Sequence, residues 1–455
     1  MKRGQIIELQ IQDMEFPSKG ISYVDDKKVY VKNTLKGQKV KVKIIKNKRE
    51  YAEGKLIDII ERSPLEAEFV CPHFEKCGGC LRQNVPYEIQ LQIKSELVKK
   101  LLDEAGIEDY EFLGIKPSPN VYGYRNKMEY SFGDEIKGGE MTLGMHQRGK
   151  FYSIITVNQC KLVENDFNII LDATLNYFKD KNIPAYNNKT HEGYLRHLVV
   201  RKGIKTGEIL ISLVTSTQLS LDLSEFVAKL KTLDLDGEIK GILHIFNDKL
   251  ADAVQADKIE ILWGQDYFYE EILGLKFKIS PFSFFQTNSL GAEVLYNTAL
   301  EFIESAADKT IFDLYCGTGT IGQIAAKKAK KVISIEIVKE AVDAANENAK
   351  MNGLNNCEFI AGDVLEKINE LKDRPDIIIL DPPRAGVNPK ALEKILKYKA
   401  KEIIYISCNP KTLVENLKQV KKAGYKVEKV VCVDMFPHTA HVETVALLIA
   451  KNQHF

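Results

Sequence analysis

Apolar and polar residues alternate with a period of two through "GQIIELQIQDM" and "KKVYVKNTLKGQKVKVKIIKNKREYAEGKLIDIIE", with Gly and Asn at the breaks. Such alternation sends successive side chains to opposite faces, so residues 1–62 are expected to form a small β-barrel that ends before Ser63-Pro64. Further on, Ile89, Ile93, Leu97 and Leu101 recur every four residues, which predicts an amphipathic helix with those side chains inward. Residues 120 to 290 return to alternation in "YRNKMEYSF", "FYSIITVNQC", "LRHLVVRKG" and "GEILISLVTS", giving a β-rich central domain over 63–290. From 291 to 455, apolar strands such as "TIFDLY", "KVISIEI", "PDIIILDPP" and "EIIYISC" alternate with helical stretches. That order is the mark of a parallel, doubly wound, Rossmann-like sheet, here closed by a final hairpin. The chain therefore reads as a multidomain α/β protein.

Charge changes the picture of the first segment. The whole chain of 455 residues is close to neutral, at +1, yet residues 1–62 hold fifteen Lys and Arg against nine Asp and Glu. Within "KVKVKIIK", Lys39, Lys41 and Lys43 share one strand face, which suits a phosphate backbone or, more plainly, a solvated edge strand. The segment resembles the TRAM domain, a small OB-like barrel found on RNA-modifying enzymes, and that resemblance implies RNA binding. The start of the chain lacks the apolar run of a signal peptide, and no stretch approaches the ~20 apolar residues of a membrane span. We therefore expect a cytoplasmic monomer whose eight cysteines stay reduced.

The C-terminal segment carries the chemistry at its strand ends. "DLYCGTGTIG" follows an apolar strand and opens a helix, so its glycines allow a ligand close to the backbone. Glu336 ends the next strand, nineteen residues after Gly317, where a carboxylate can accept both hydroxyls of a ribose. Asp363 and Asp381 end the third and fourth strands, where they suit the adenine and the charged end of S-adenosylmethionine; a loop cap is the lesser reading for Asp363. "EIIYISCNP" then places Cys408 where a buried strand breaks, facing whatever binds at that edge.

"DLYCGTGTIG", "LDPPRAG", "SCNP" and "HVETVALL", in this order and spacing, are similar to the RNA uracil-C5 methyltransferase family. The resemblance implies a class I methyltransferase fold and S-adenosylmethionine, held by Gln286 of "PFSFFQTN", Tyr315, Gly317, Thr320, Glu336, Asp363 and Asp381. Thr320 departs from the Asn frequent in the family. It implies Cys408 as nucleophile toward uracil C6, Glu443 as base for the C5 proton, and Asp381 as a group that also orients the uracil. Uracil C5 is a poor nucleophile, and addition of a thiolate at C6 is what makes it attack a methyl group. Cytosine-C5 enzymes use paired thiols, and the loop after Asp381 has none; exocyclic amino methyltransferases carry an aromatic where Arg384 stands. Cys316, Cys357 and Cys432 read as packing. Ribosomal RNA of the large subunit (23S) is the expected substrate because the barrel resembles one typical of the family's ribosomal branch. Transfer RNA is the second reading, and a noncatalytic iron-sulfur RNA-binding protein a third.

Cys71, Cys77 and Cys80 have the spacing C-x5-C-x2-C, and Cys160 in "VNQC" could return as a fourth ligand. Four thiolates suit zinc or an iron-sulfur centre, with His73 as a competing ligand. The resemblance implies a [4Fe-4S] cluster at these four positions. Aromatic and basic residues interleave around Arg125, Lys127, Arg196 and Arg201, which makes these four candidates for RNA contact or ordinary charged strand faces.

Overall fold

A computed structural model describes residues 1–451. At the N-terminus six strands pair in the order Ile6–Gln10, Lys39–Asn47, Tyr51–Glu61, Lys27–Lys32, Lys19–Val24 and Asp13–Glu15. The alternation acts as expected: Val40, Val42 and Ile44 are fully buried, while Lys41 and Lys43 between them are exposed. Lys39 is half-buried and bridges Glu8 and Glu61 at 3.4 and 3.7 Å. Two of the three lysines are thus open to solvent on one face.

The central sheet has seven strands, ordered Ile154–Thr156, Met141–His146, Lys127–Asp134, Leu195–Lys202, Glu208–Thr215, Glu238–Phe246 and Lys258–Gly264. Its middle strand, Leu195–Lys202, is buried at every position, charged residues included. This corrects the expectation for Arg196 and Arg201. Arg196 donates to the carbonyls of Asn247, Lys249 and Ala251 at 2.7–2.9 Å, and Arg201 to those of Ser280, Pro281 and Ser283 at 2.5–3.0 Å. Each guanidinium fork satisfies three loop carbonyls that would otherwise cost about 1–3 kcal/mol apiece when buried unpaired. Neither is free to meet RNA. Lys127 forms an ion pair with Glu129 at 2.5 Å, and Arg125 is half-buried with its Nε toward the Lys127 carbonyl at 3.5 Å.

The C-terminal sheet has eight strands, ordered Cys357–Ala361, Lys331–Glu336, Thr310–Leu314, Ile377–Leu380, Glu402–Ser407, Glu443–Ala450, Tyr425–Val433 and Glu111–Lys116. The first five run parallel and Glu443–Ala450 runs against its two neighbours. All the parallel strands therefore present their carboxyl ends, and Glu443–Ala450 its first residue, at one edge. The last strand, Glu111–Lys116, and the helix Tyr87–Glu104 were expected in the central domain. The strand instead extends this sheet beside Tyr425–Val433, and the helix packs on it through Leu97, Val98 and Leu102. The helix is also turned by about one residue: Gln90 and Lys94 are buried, and Ile89, Ile93 and Leu101 only partly so. No helix among the described residues is long and apolar enough to cross a membrane.

Candidate active site

The edge where the strands end opens into a cavity of about 1410 Å³. Its floor is the turn Tyr315–Gly319 between the strand Thr310–Leu314 and the helix Thr320–Ala326. Gly319 has φ of +71°, and a Cβ there would stand 2.5 Å from the Phe359 ring, so only glycine fits. Glu336 holds this turn: one carboxylate oxygen accepts from Gly317 N at 3.0 Å and the other from Val338 N at 3.0 Å. A carboxylate oxygen has two acceptor sites, so each keeps capacity for a ligand hydroxyl.

The other expected cofactor residues reach the same cavity: Gln286, Tyr315, Thr320, Asp363 and Asp381 all line it. Thr320 is buried, its hydroxyl 3.3 Å from that of Thr318. Asp363 also caps the short helix Val364–Lys367, accepting from Leu365 N at 2.7 Å, so its loop-capping role is present as well.

Cys408 lies half-buried in this cavity, just beyond the strand Glu402–Ser407 and ahead of the helix Pro410–Lys422. Asn409 caps that helix, accepting from Lys411 N at 3.3 Å, and donates to the Arg384 carbonyl at 3.0 Å. The Asn-Pro pair thus starts the helix whose positive end favours a thiolate, and ties the Cys408 loop to the one after Asp381. Burial pushes the thiol up to about 11, helped by Glu443 and Asp381 and opposed by Arg384. Burial also raises the Asp381 carboxyl to about 7, and burial with the neighbouring Asp381 raises Glu443 to about 8. Two desolvated carboxyls and a thiol, each disfavouring ionisation of the next, form a site poised for a positively charged ligand. Asp313, which the sequence pattern left unremarked, joins them: it is fully buried behind the turn and raised to about 8 by burial and Asp381.

Cys160 comes from far along the sequence to join the Cys71–Cys80 segment. Cys71, Cys80 and Cys160 pack in one cluster with Phe74 and Tyr124, and Cys77 lies near enough for charge on Cys71 to raise its thiol. Burial raises Cys80 to about 12 and Cys160 to about 11. Cys80 Sγ accepts from Gln83 Nε2 at 3.2 Å and Cys77 Sγ from Gly79 N at 3.3 Å, as thiolates bound to a cation do. His73 is committed elsewhere, accepting from Gln159 N at 3.2 Å. Among the described residues, no group of three or more such side chains is spaced for a single metal ion.

The model of the family described as tRNA (Uracil-5-)-methyltransferase matches residues 86–451, and that of the TRAM domain residues 1–57. The chain belongs to the uracil-5-methyltransferase family. Its relatives include RNA methyltransferases of uncharacterized specificity from Clostridium acetobutylicum, 55% identical, and Clostridium tetani, 53% identical, each matched over 99% of both chains. A solved structure, the Pyrococcus abyssi tRNA (uracil-54, C5)-methyltransferase in complex with S-adenosyl-L-homocysteine, covers 97% of this chain and 100% of its own. It is 27% identical, with a TM-score of 0.78. The protein is an S-adenosylmethionine-dependent RNA methyltransferase with an N-terminal TRAM domain.

Proposed function

We propose that the enzyme methylates C5 of a uridine in ribosomal RNA through a covalent adduct of Cys408 with uracil C6. The observation that carries this reading is the meeting of Cys408, Asp381 and Glu443 in one cavity with the Tyr315–Gly319 turn. Glu336, Gln286, Tyr315, Gly317, Thr320, Asp363 and Asp381 are the groups that would hold S-adenosylmethionine. When bound, it supplies a methyl group on a sulfonium. The Cys408 thiolate adds to C6, and the electron pair of the C5–C6 double bond moves onto C5 and the O4 carbonyl. Once C5 carries the methyl, Glu443 takes the C5 proton, the double bond re-forms and the thiolate leaves. The thiol reaches C6 only if the uridine is extruded from its stack.

Exposed Lys41 and Lys43 give a phosphate grip outside the cavity, which suits a large folded RNA. Transfer RNA is a second reading because the Pyrococcus abyssi enzyme is named for it. The TRAM domain does not separate the two, since that structure covers this region too. Separate nucleoside analysis of 23S ribosomal and transfer RNA, from cells with and without the gene, tests the reading. Loss of 5-methyluridine from ribosomal RNA alone is expected; loss from transfer RNA alone overturns the ribosomal assignment.

The raised carboxyls give a pH prediction. Near pH 6 Asp381 and Glu443 are largely neutral; Asp381 ionises around pH 7 and Glu443 around pH 8. Only the ionised forms attract a sulfonium. Affinity for S-adenosylmethionine relative to neutral S-adenosylhomocysteine is therefore expected to rise with pH across this interval, measured by calorimetry, and to flatten in Asp381→Asn.

For the cysteines we propose a [4Fe-4S] cluster. The four-thiol donor set, Cys71, Cys80 and Cys160 packed together with Cys77 beside Cys71, fits it. Anaerobically purified protein should be brown, with about four iron and four sulfide per chain. Cys80→Ala should strip the metal; stoichiometric zinc without sulfide would overturn the assignment.

A further inference from the structure

The Glu443 carboxyl faces the cavity beside Asp381, so its direction depends on packing and on the backbone leading into it. That backbone is the loop 434–442, between the strands Tyr425–Val433 and Glu443–Ala450. Contacts from outside the sheet's hairpin hold it. Directly after Cys80, the N–H groups of Leu81 and Arg82 both donate to the His438 carbonyl, at 2.8 and 3.0 Å. From the helix Tyr87–Glu104, Gln90 accepts from His438 N at 2.9 Å while its amide nitrogen lies 3.1 Å from His438 Nδ1. One turn on, Lys94 donates to Asp434 at 2.7 Å and to the Phe436 carbonyl at 3.0 Å. The Tyr124 hydroxyl donates to the Pro437 carbonyl at 3.1 Å, and the Tyr122 ring stacks on His438 with centroids 4.7 Å apart.

Stability alone does not account for this arrangement. The Lys94 and Asp434 side chains are 6% and 0% exposed, and a buried ion pair is commonly no more stable than an apolar pair of similar volume. The same helix leaves Ile89 and Ile93 partly exposed while burying Gln90 and Lys94. His438 itself sits at φ +67°, a left-handed conformation sustained by the bonds around it. Its loop also contributes Phe436 to the wall of the cavity that holds Glu443 and Cys408.

We propose that the cysteine knuckle and the Gln90–Lys94 face of the helix jointly position Glu443, so that the state of the four-cysteine site governs removal of the C5 proton. Cofactor binding rests on the Tyr315–Gly319 turn, and Cys408 on the Asn409 cap and its tie to the Arg384 carbonyl, none of which is among the clamp's contacts. The inference rests on Glu443 as the base, as assigned above. Gln90, Lys94, Asp434 and His438 are positioning residues in it, since none of them is required to touch the uracil.

The experiment uses the full-length, metal-loaded protein with RNA substrate and methyl-labelled S-adenosylmethionine in single turnover. In Lys94→Met/Asp434→Leu the buried pair becomes an apolar one of similar volume, and the Phe436 carbonyl and N–H both lose their side-chain partners; the variant is used once its cooperative melting shows that it folds. Label is expected to enter a denaturant-stable RNA–protein complex at the wild-type rate, and that complex to decay at least about tenfold more slowly, toward the Glu443→Gln limit. A second arm removes the metal from wild-type protein with chelator. S-adenosylhomocysteine affinity should then stay within about twofold, amide exchange over residues 434–443 should quicken, and the labelled complex should again persist. Wild-type decay in the folded double variant, or unchanged exchange over 434–443 after metal removal, overturns the clamp. Absence of any complex in Glu443→Gln, with normal turnover, overturns the base assignment instead, so the two failures are distinguishable.

Discussion

Cys408→Ala is expected to bring methylation of RNA below detection while S-adenosylhomocysteine and RNA still bind with nearly wild-type affinity. The reason is chemical. Without the C6 adduct, C5 of uracil stays too weak a nucleophile to take the methyl, and no neighbouring group replaces the thiol. Cys316 is buried within the glycine turn and strongly disfavoured from ionising by burial, and neither Cys357 nor the buried Cys432 lines the cavity. The side chain of Cys408 is half-buried and makes no bond that the fold depends on, so the variant should keep its melting temperature. A turnover experiment over several hours, read as labelled methyl in RNA, checks this; residual activity within about a hundredfold of wild type would contradict covalent catalysis.

Glu443→Gln is expected to separate the two halves of the reaction. Adduct formation and methyl transfer need no base at this position, whereas loss of the C5 proton does, so turnover should fall by about 10²–10⁴. The methylated RNA should stay linked to the protein. Electrostatics point the same way: burial, with Asp381 adding to it, raises Glu443 to about 8, and replacement by a neutral amide removes that cost. The variant should therefore be at least as stable as wild type near pH 8, where the native carboxyl would ionise against Asp381. Denaturing gel electrophoresis with labelled methyl reads the trapped complex, and normal turnover without one would show that another group takes the proton.

The proposed reacting groups could be brought to one edge from the sequence because each lies at the end of a strand whose apolar run is local. Asp381 follows Ile377–Leu380, Cys408 follows Glu402–Ser407, and Glu443 begins Glu443–Ala450; once those strands are parallel or antiparallel neighbours, their ends must meet. Arg196 and Arg201 were misjudged for the opposite reason. Their strand carries basic residues at both ends, but the carbonyls that satisfy them come from loops 247–251 and 280–283, which no local pattern reveals. The strand Glu111–Lys116 pairs with Tyr425–Val433 across some three hundred residues of sequence, so its place in the catalytic sheet was equally hidden. The inward turn of Gln90 and Lys94 runs against the four-residue apolar repeat that Ile89 and Ile93 begin, because a loop with polar backbone groups, and not an apolar core, covers that face. Asp313 stood in view inside "DLYCGTGTIG", and only its complete burial against Asp381 marks it as part of the site.

The most direct test of covalent catalysis is a trap with RNA carrying 5-fluorouridine at the target position, incubated with wild-type protein and S-adenosylmethionine. Fluorine cannot leave C5 as a proton would, so the reaction should stop after methyl transfer, with the base still joined to the thiol. Peptide mass spectrometry of the denatured complex is expected to find one modified peptide, bearing 5-fluoro-5-methyl-dihydrouridine on Cys408, and none in Cys408→Ala. Attachment to any other residue, or methylation of the fluorinated RNA with no complex, would contradict the mechanism.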